Sequence, residues 1–149
     1  MRLDSVEEIL RFAIRKEADA ATSYRIAADR SRPGVKKFFE ELAEEEDKHR
    51  SKLEKFDLKT ISKMKIKEVK GLGLSESMED IPFGPEMTYE ELLRMAIKAE
   101  EKSEQLYAST AKLVTDSNLK KLLLILAREE AGHKLKLEKI YDEEILKEF

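Results

Sequence analysis

The chain has 149 residues with no cysteine, five glycines and three prolines, against 41% charged and 41% hydrophobic residues. That composition excludes a disulfide scaffold, thiolate catalysis, iron–sulfur clusters and cysteine-bound zinc, and it points to an all-α protein of long amphipathic helices. The 29 basic and 32 acidic residues are interspersed and leave a net charge of −3, with no electrostatic footprint for nucleic acid or an anionic membrane.

The length predicts one domain over residues 1–149. Its first residues, MRLDSVEEIL, carry Asp4, Glu7 and Glu8 and lack an apolar h-region, and no apolar run is long enough to span a membrane. A cytoplasmic location without membrane attachment is expected. Ser5 with Glu8 is a capping box that opens a first helix over 5–30, and Pro33 suits the first turn of a second over 33–56. Thr88 with Glu91 opens a third helix over 88–115, and Asp116 or Ser117 caps a fourth over 118–147. Turns of two to four residues make each pair an antiparallel hairpin. Residues 57–87 hold Gly71, Gly73, Gly84, Pro82 and Pro85, with a short helix or extended piece expected at KMKIKEV. That stretch is long enough to run back along a helix of about 36 Å, so a crossover should leave the second and third helices parallel. The result is a ferritin-like four-helix bundle of two antiparallel hairpins.

The two hairpins are copies. A shift of 83 lays Ser5–Glu17 over Thr88–Glu100 and Tyr24 over Tyr107; a shift of 84 lays Leu42–Lys55 over Leu126–Lys139. The apolar stripe is broken at equivalent places in both. It reads Phe39, Leu42, Glu46, His49, Leu53, Phe56 on the second helix and Leu123, Leu126, Glu130, His133, Leu137, Ile140 on the fourth. Glu17 continues the line of Leu10, Ala13 and Ile14, and Glu100 that of Leu93, Ala96 and Ile97. Four Glu and the chain's two His are thus expected at one level of the bundle.

Four unpaired carboxylates in a core would cost several kcal/mol each or be driven to neutrality. Two divalent cations would compensate them, and Glu-x-x-His presents both side chains on one helix face. Glu17, Glu46 and His49 would mainly serve one metal and Glu100, Glu130 and His133 the other; any catalysis would run through the metals so held. Carboxylates with one imidazole per metal suit iron or manganese, with zinc as a substitute. Tyr24 and Tyr107 lie two turns beyond Glu17 and Glu100, either hydrogen-bonding ligand carboxylates or serving as core tyrosines. Glu45, Glu129 and Glu101, about 100° round their helices from the ligand candidates, read as solvated acids. Phe12, Phe38 and Ile26 lie partly off the inward stripe and read as a second apolar face for a homodimer or larger oligomer.

The doubled pattern, Glu17-x28-Glu46-x2-His49 and Glu100-x29-Glu130-x2-His133, resembles the rubrerythrin branch of the ferritin-like superfamily over nearly the whole chain. The resemblance implies two iron ions and an oxidoreductase that consumes hydrogen peroxide or dioxygen, with a role in oxidative stress. It equally admits a ferroxidase or iron-storage protein. The sequence departs from the family pattern at Ile97, where an additional Glu stands three residues before the third-helix ligand. It also lacks the four-cysteine rubredoxin domain, so turnover would need an external donor such as a rubredoxin-like protein. Two further readings remain: a bundle whose Glu and His are exposed, and a purely structural or interaction bundle that is stable without metal.

Overall fold

The computed structural model describes residues 5–56 and 86–146. Four helices account for nearly all of them: α1 (Val6–Arg30), α2 (Pro33–Glu54), α3 (Tyr89–Ala111) and α4 (Ser117–Glu144). The crossover expected at 57–87 falls almost wholly outside the described residues, as does the KMKIKEV piece within it.

Helix ends follow the capping chemistry. The Ser5 hydroxyl accepts the Glu8 N–H at 3.2 Å, and Asp116 accepts the Leu119 N–H at 2.8 Å. Thr88 and Glu91 form the full reciprocal capping box, and α2 starts on Pro33 without a side-chain cap. α3 stops at Ala111, earlier than the sequence pattern predicts, leaving five residues before α4. The reason is local: Lys112 closes the last turn onto the Ser109 and Thr110 carbonyls, and Val114 turns inward to join the core.

Contacts between helices fix the topology. α1 packs along α2, α3 along α4, and α1 against α3. Glu17 meets Tyr107 while Tyr24 meets Glu100, so α1 and α3 run antiparallel; Glu46 meets His133 while His49 meets Glu130, so α2 and α4 do as well. With both hairpins antiparallel, α2 and α3 are parallel, as a long crossover requires.

The core is divided in two. One apolar cluster gathers the start of α1 (Val6, Ile9, Leu10, Phe12, Ala13), Leu53, the end of α3 (Leu106, Tyr107, Ala111) and the start of α4 (Leu119, Leu123, Leu126). The other gathers Ala21, Tyr24, Ala27 and Ala28 of α1, Phe39, Leu42 and Ala43 of α2, Leu93 and Ala96 of α3, and Leu137. Between them lies a layer of buried Glu and His.

Phe12 corrects one sequence expectation. It is 4% exposed within the first cluster, with the Arg15 and Lys16 charges over its ring at 5.4 and 5.5 Å, and Phe38 packs against the second cluster. A period-based reading places both off the inward stripe because it ignores how far a wide aromatic ring reaches round a helix. Among the described residues, the large apolar side chains left exposed are Leu124, Ile125, Leu135 and Leu146. No described helix is long and apolar enough to cross a membrane.

Because Thr88 satisfies two orphan backbone groups together with Glu91, Thr88→Ala should lower the unfolding free energy by about 1 kcal/mol in urea denaturation. An unchanged midpoint would show that packing alone sets the start of α3.

Candidate metal centre

Each helix places its polar residues by ordinary helical periodicity, interrupting an inward apolar stripe for one turn. Glu17 of α1, Glu46 and His49 of α2, Glu100 of α3, and Glu130 and His133 of α4 are all buried, none more than 3% exposed. The reading in which these residues face solvent is therefore excluded.

Their atoms converge in two overlapping sets. Glu17, Glu46, His49 and Glu130 offer one ligand atom each within 4.8 Å of one another, and so do Glu46, Glu100, Glu130 and His133. Glu46 and Glu130 belong to both sets, while Glu17 with His49 and Glu100 with His133 belong to one each. His49 Nδ1 lies 2.7 Å from Glu130 Oε1 and 3.6 Å from Glu17 Oε1; His133 Nδ1 lies 2.8 Å from Glu46 Oε1 and 3.6 Å from Glu100 Oε1. The two imidazoles stack with centroids 5.8 Å apart and planes 9° from parallel.

Both tyrosines serve this layer, and across the hairpins. The Tyr24 hydroxyl donates to Glu100 Oε1 and the Tyr107 hydroxyl to Glu17 Oε1. Burial, reinforced by those carboxylate charges, holds both phenols well above their ordinary pKa, so they remain donors. The second oxygens, Glu17 Oε2 and Glu100 Oε2, are buried without any hydrogen-bond partner. Orphaned carboxylate oxygens in a dry core are rare unless something else completes them. A hard divalent cation against each would do so, which is the fit expected of this donor set.

The protonation pattern shows how strained the layer is without cations. Burial pushes the Glu46 and Glu130 carboxyls well above the usual range, and the charges of Glu100 and Glu17 push the same way. Burial also raises Glu100, but hydrogen bonding to Glu130 and His133 leaves it below its ordinary value. Burial pulls both imidazoles down. Glu17 and Glu129 more than reverse this at His49, and Glu100 and Glu45 at His133, so both end raised.

Glu129 and Glu45 correct the sequence reading that made them solvated acids. Glu129 Oε2 lies 2.5 Å from His49 Nε2, and Glu45 Oε2 accepts from His133 Nε2. A 100° offset moves a side chain off its own helix's inward line, but here the partner is a ring on the facing helix. The signal was present, since a Glu directly precedes Glu-x-x-His in both repeats. Glu101 behaves as expected, half-exposed with Lys134 3.9 Å away. Ile97 and Ile14 pack against the apolar clusters and bring no oxygen to the layer.

A cleft of about 390 Å³ opens between α2 and α4 over the two imidazoles. Its walls carry Lys48 and Lys52 from α2 and Lys136 from α4, with Gly132 beside His133. Nothing lies within 4 Å of where a Gly132 side chain would begin, so the missing Cβ keeps that wall low.

Comparison with known proteins agrees with this geometry. The family model for Rubrerythrin matches residues 8–83 and 91–148. A solved Thermotoga maritima structure, described as a ferritin-like diiron-carboxylate protein, is similar at 22% identity, covering 97% of this chain and 99% of that one with a TM-score of 0.78. A Pyrococcus furiosus protein described only as hypothetical is 28% identical, covering 93% and 89% of the two chains with a TM-score of 0.70. No curated protein matches the chain.

Metal must displace the protons held in this layer, and that sets a pH dependence. The imidazoles, raised from 6.5, stabilise the metal-free fold fully below that pH and lose the contribution as pH climbs through their folded values. Glu46 and Glu130, raised from 4.5, act in the same direction because ionising them in the fold is unfavourable; Glu100 alone opposes. The Tm gap between metal-loaded and metal-free protein should therefore widen from about pH 6 to pH 8 in scanning calorimetry. A gap that stays constant or narrows would contradict the layer as the binding site.

Proposed function

Because the chain belongs to the rubrerythrin family, we propose that its buried layer holds two iron ions and that the protein is a di-iron oxidoreductase reducing hydrogen peroxide or dioxygen with electrons from an external donor. The sharing of Glu46 and Glu130 between two four-residue sets carries this reading. Glu17 with His49 would complete one ion's ligands, and Glu100 with His133 the other's. Manganese fits the same donors.

When bound, a pair of ferrous ions supplies the two electrons that cleave an O–O bond. With peroxide the balance is one H2O2, two electrons and two protons giving two waters. The chain's own residues do the rest. The four carboxylates balance the charge of two dications and so would make their binding within a dry core electrostatically tolerable. Tyr24 and Tyr107 fix the orientation of Glu100 and Glu17 by donating to one oxygen of each, leaving the other oxygen buried without a hydrogen-bond partner. Apolar clusters lie above and below the layer, and among the described residues the α2–α4 cleft offers an approach for a small oxidant. Lys48, Lys52 and Lys136 line it together with the Glu45 and Glu129 carboxylates, a mixed charge that admits a small neutral molecule such as H2O2 or O2.

A second reading, ferroxidase or iron storage, draws on Ile97. The apolar side chain offers no additional carboxylate for the redox-linked ligand exchange that the resemblance associates with peroxide reduction. Storage would require iron uptake well beyond two per chain.

The test is anaerobic loading with Fe(II), metal quantification by mass spectrometry, and stopped-flow absorbance after adding H2O2 or O2. About two irons per chain, oxidised faster by H2O2 than by O2, would support the peroxidase reading. Faster reaction with O2 and continued uptake past two would establish storage instead. Glu46→Ala should lose at least half of the bound iron, and full retention would overturn the ligand assignment.

A further inference from the structure

Each imidazole of the buried layer is held at both nitrogens. His49 turns Nδ1 inward to Glu130 and Nε2 outward to Glu129; His133 turns Nδ1 inward to Glu46 and Nε2 outward to Glu45. The outer carboxylates are different in kind from the inner four. Their side chains are 42% and 45% exposed, and they reach the layer from the walls of the α2–α4 cleft. Lys48, Lys52 and Lys136 share that cleft, yet among the described residues the two carboxylates bond the imidazoles and not the lysines.

The bonds also cross between hairpins. Glu129 stands on α4 but holds the imidazole of α2, and Glu45 stands on α2 but holds the imidazole of α4. Both nitrogens of each ring lie against a carboxylate oxygen, and it is Nδ1 that faces the inner carboxylates. A cation taking the inner lone pair would leave the ring proton at Nε2, where an ionised Glu129 or Glu45 can accept it.

We propose that Glu45 and Glu129 are positioning residues of the metal centre, each fixing from the opposite hairpin the orientation and the Nε2–H form of one imidazole so that Nδ1 is presented to the ion. The inference rests on the reading of the layer as an iron site. It goes beyond that reading in giving a role to two carboxylates that would touch no metal. A carboxylate on the far nitrogen also strengthens the imidazole as a donor, so removing one should weaken metal binding about 10- to 100-fold.

The arrangement gives a signature that a general surface charge would not. The chain has two histidines, so zinc-loaded, 15N-labelled protein should show two slowly exchanging Nε2–H signals. Glu129→Ala should abolish or speed the exchange of the His49 signal and spare that of His133, its own-helix neighbour; Glu45→Ala should do the reverse. Fe(II) affinity should fall about 10- to 100-fold in either variant, and Gln at either position, which keeps an acceptor, should restore the signal and most of the affinity. Circular dichroism on the same samples checks folding, which half-exposed positions should tolerate. Variants with both signals and wild-type affinity would overturn the role of Glu45 and Glu129 while leaving the iron reading intact, as would a Glu129→Ala effect confined to His133. A wild type that takes up neither zinc nor iron would overturn the iron reading and this inference with it.

Discussion

Everything in this bundle is arranged around one electrostatic problem: four carboxylates sit in a layer that water does not reach. Glu17, Glu46, Glu100 and Glu130 are each 2% exposed or less, with an apolar cluster on either side. A core of this size would be more stable with Leu at those positions, because ionised groups are costly to desolvate and like charges are costly to crowd. The protein offsets the charge in part with two imidazolium-prone rings and two phenolic donors. Two carboxylate oxygens are still left without a partner. That residual imbalance is the physical content of the metal assignment, and it stands on the geometry independently of family membership.

The duplication is what makes such a layer constructible. One hairpin contributes two carboxylates and one imidazole, too few to surround a pair of ions and too polar to bury alone. Two copies related by an approximate twofold double the set, and the bonds that finish it cross between copies. Tyr24 and Tyr107, Glu45 and Glu129, and Glu46 and Glu130 each act on the opposite hairpin. The symmetry is broken at the rim, where Lys48 of one copy corresponds to Gly132 of the other. One wall of the cleft therefore carries two lysines, Lys48 and Lys52, and the other only Lys136, so the approach to the layer is asymmetric though the layer itself is not.

The bundle's topology and the six inner residues were legible because both are encoded as periodicity. A repeat shift of 83 to 84 residues implies matched hairpins, and an acid and an imidazole on an apolar stripe have nowhere to point but inward. What escaped was whatever depends on the distance between helices. Glu45 and Glu129 lie off the inward line of their own helices, and only the spacing of α2 and α4 decides that they meet a ring across the cleft. Phe12 was misplaced for a related reason, since its ring is wide enough to reach the core from a flanking position. The early end of α3 depends on Val114 finding a place in the packed core, which no local pattern reveals.

The cross-hairpin bonds also bear on how metal and fold depend on one another. α1 packs along α2 and α3 along α4 by apolar contact, and α1 meets α3; α2 and α4 share the two apolar clusters through Leu53 and Leu137 and are bonded to one another at the cleft through side chains of the polar layer. Without cations those links are proton-sharing contacts between carboxylates and imidazoles, weakened as the protons leave. With cations, Glu46 and Glu130 would each reach from their own hairpin to ions that the other hairpin also holds. Metal would then act as a clamp across the cleft side of the bundle. The same side is where the cleft opens, so the approach to the layer lies beside the cross-hairpin bonds that metal would tighten.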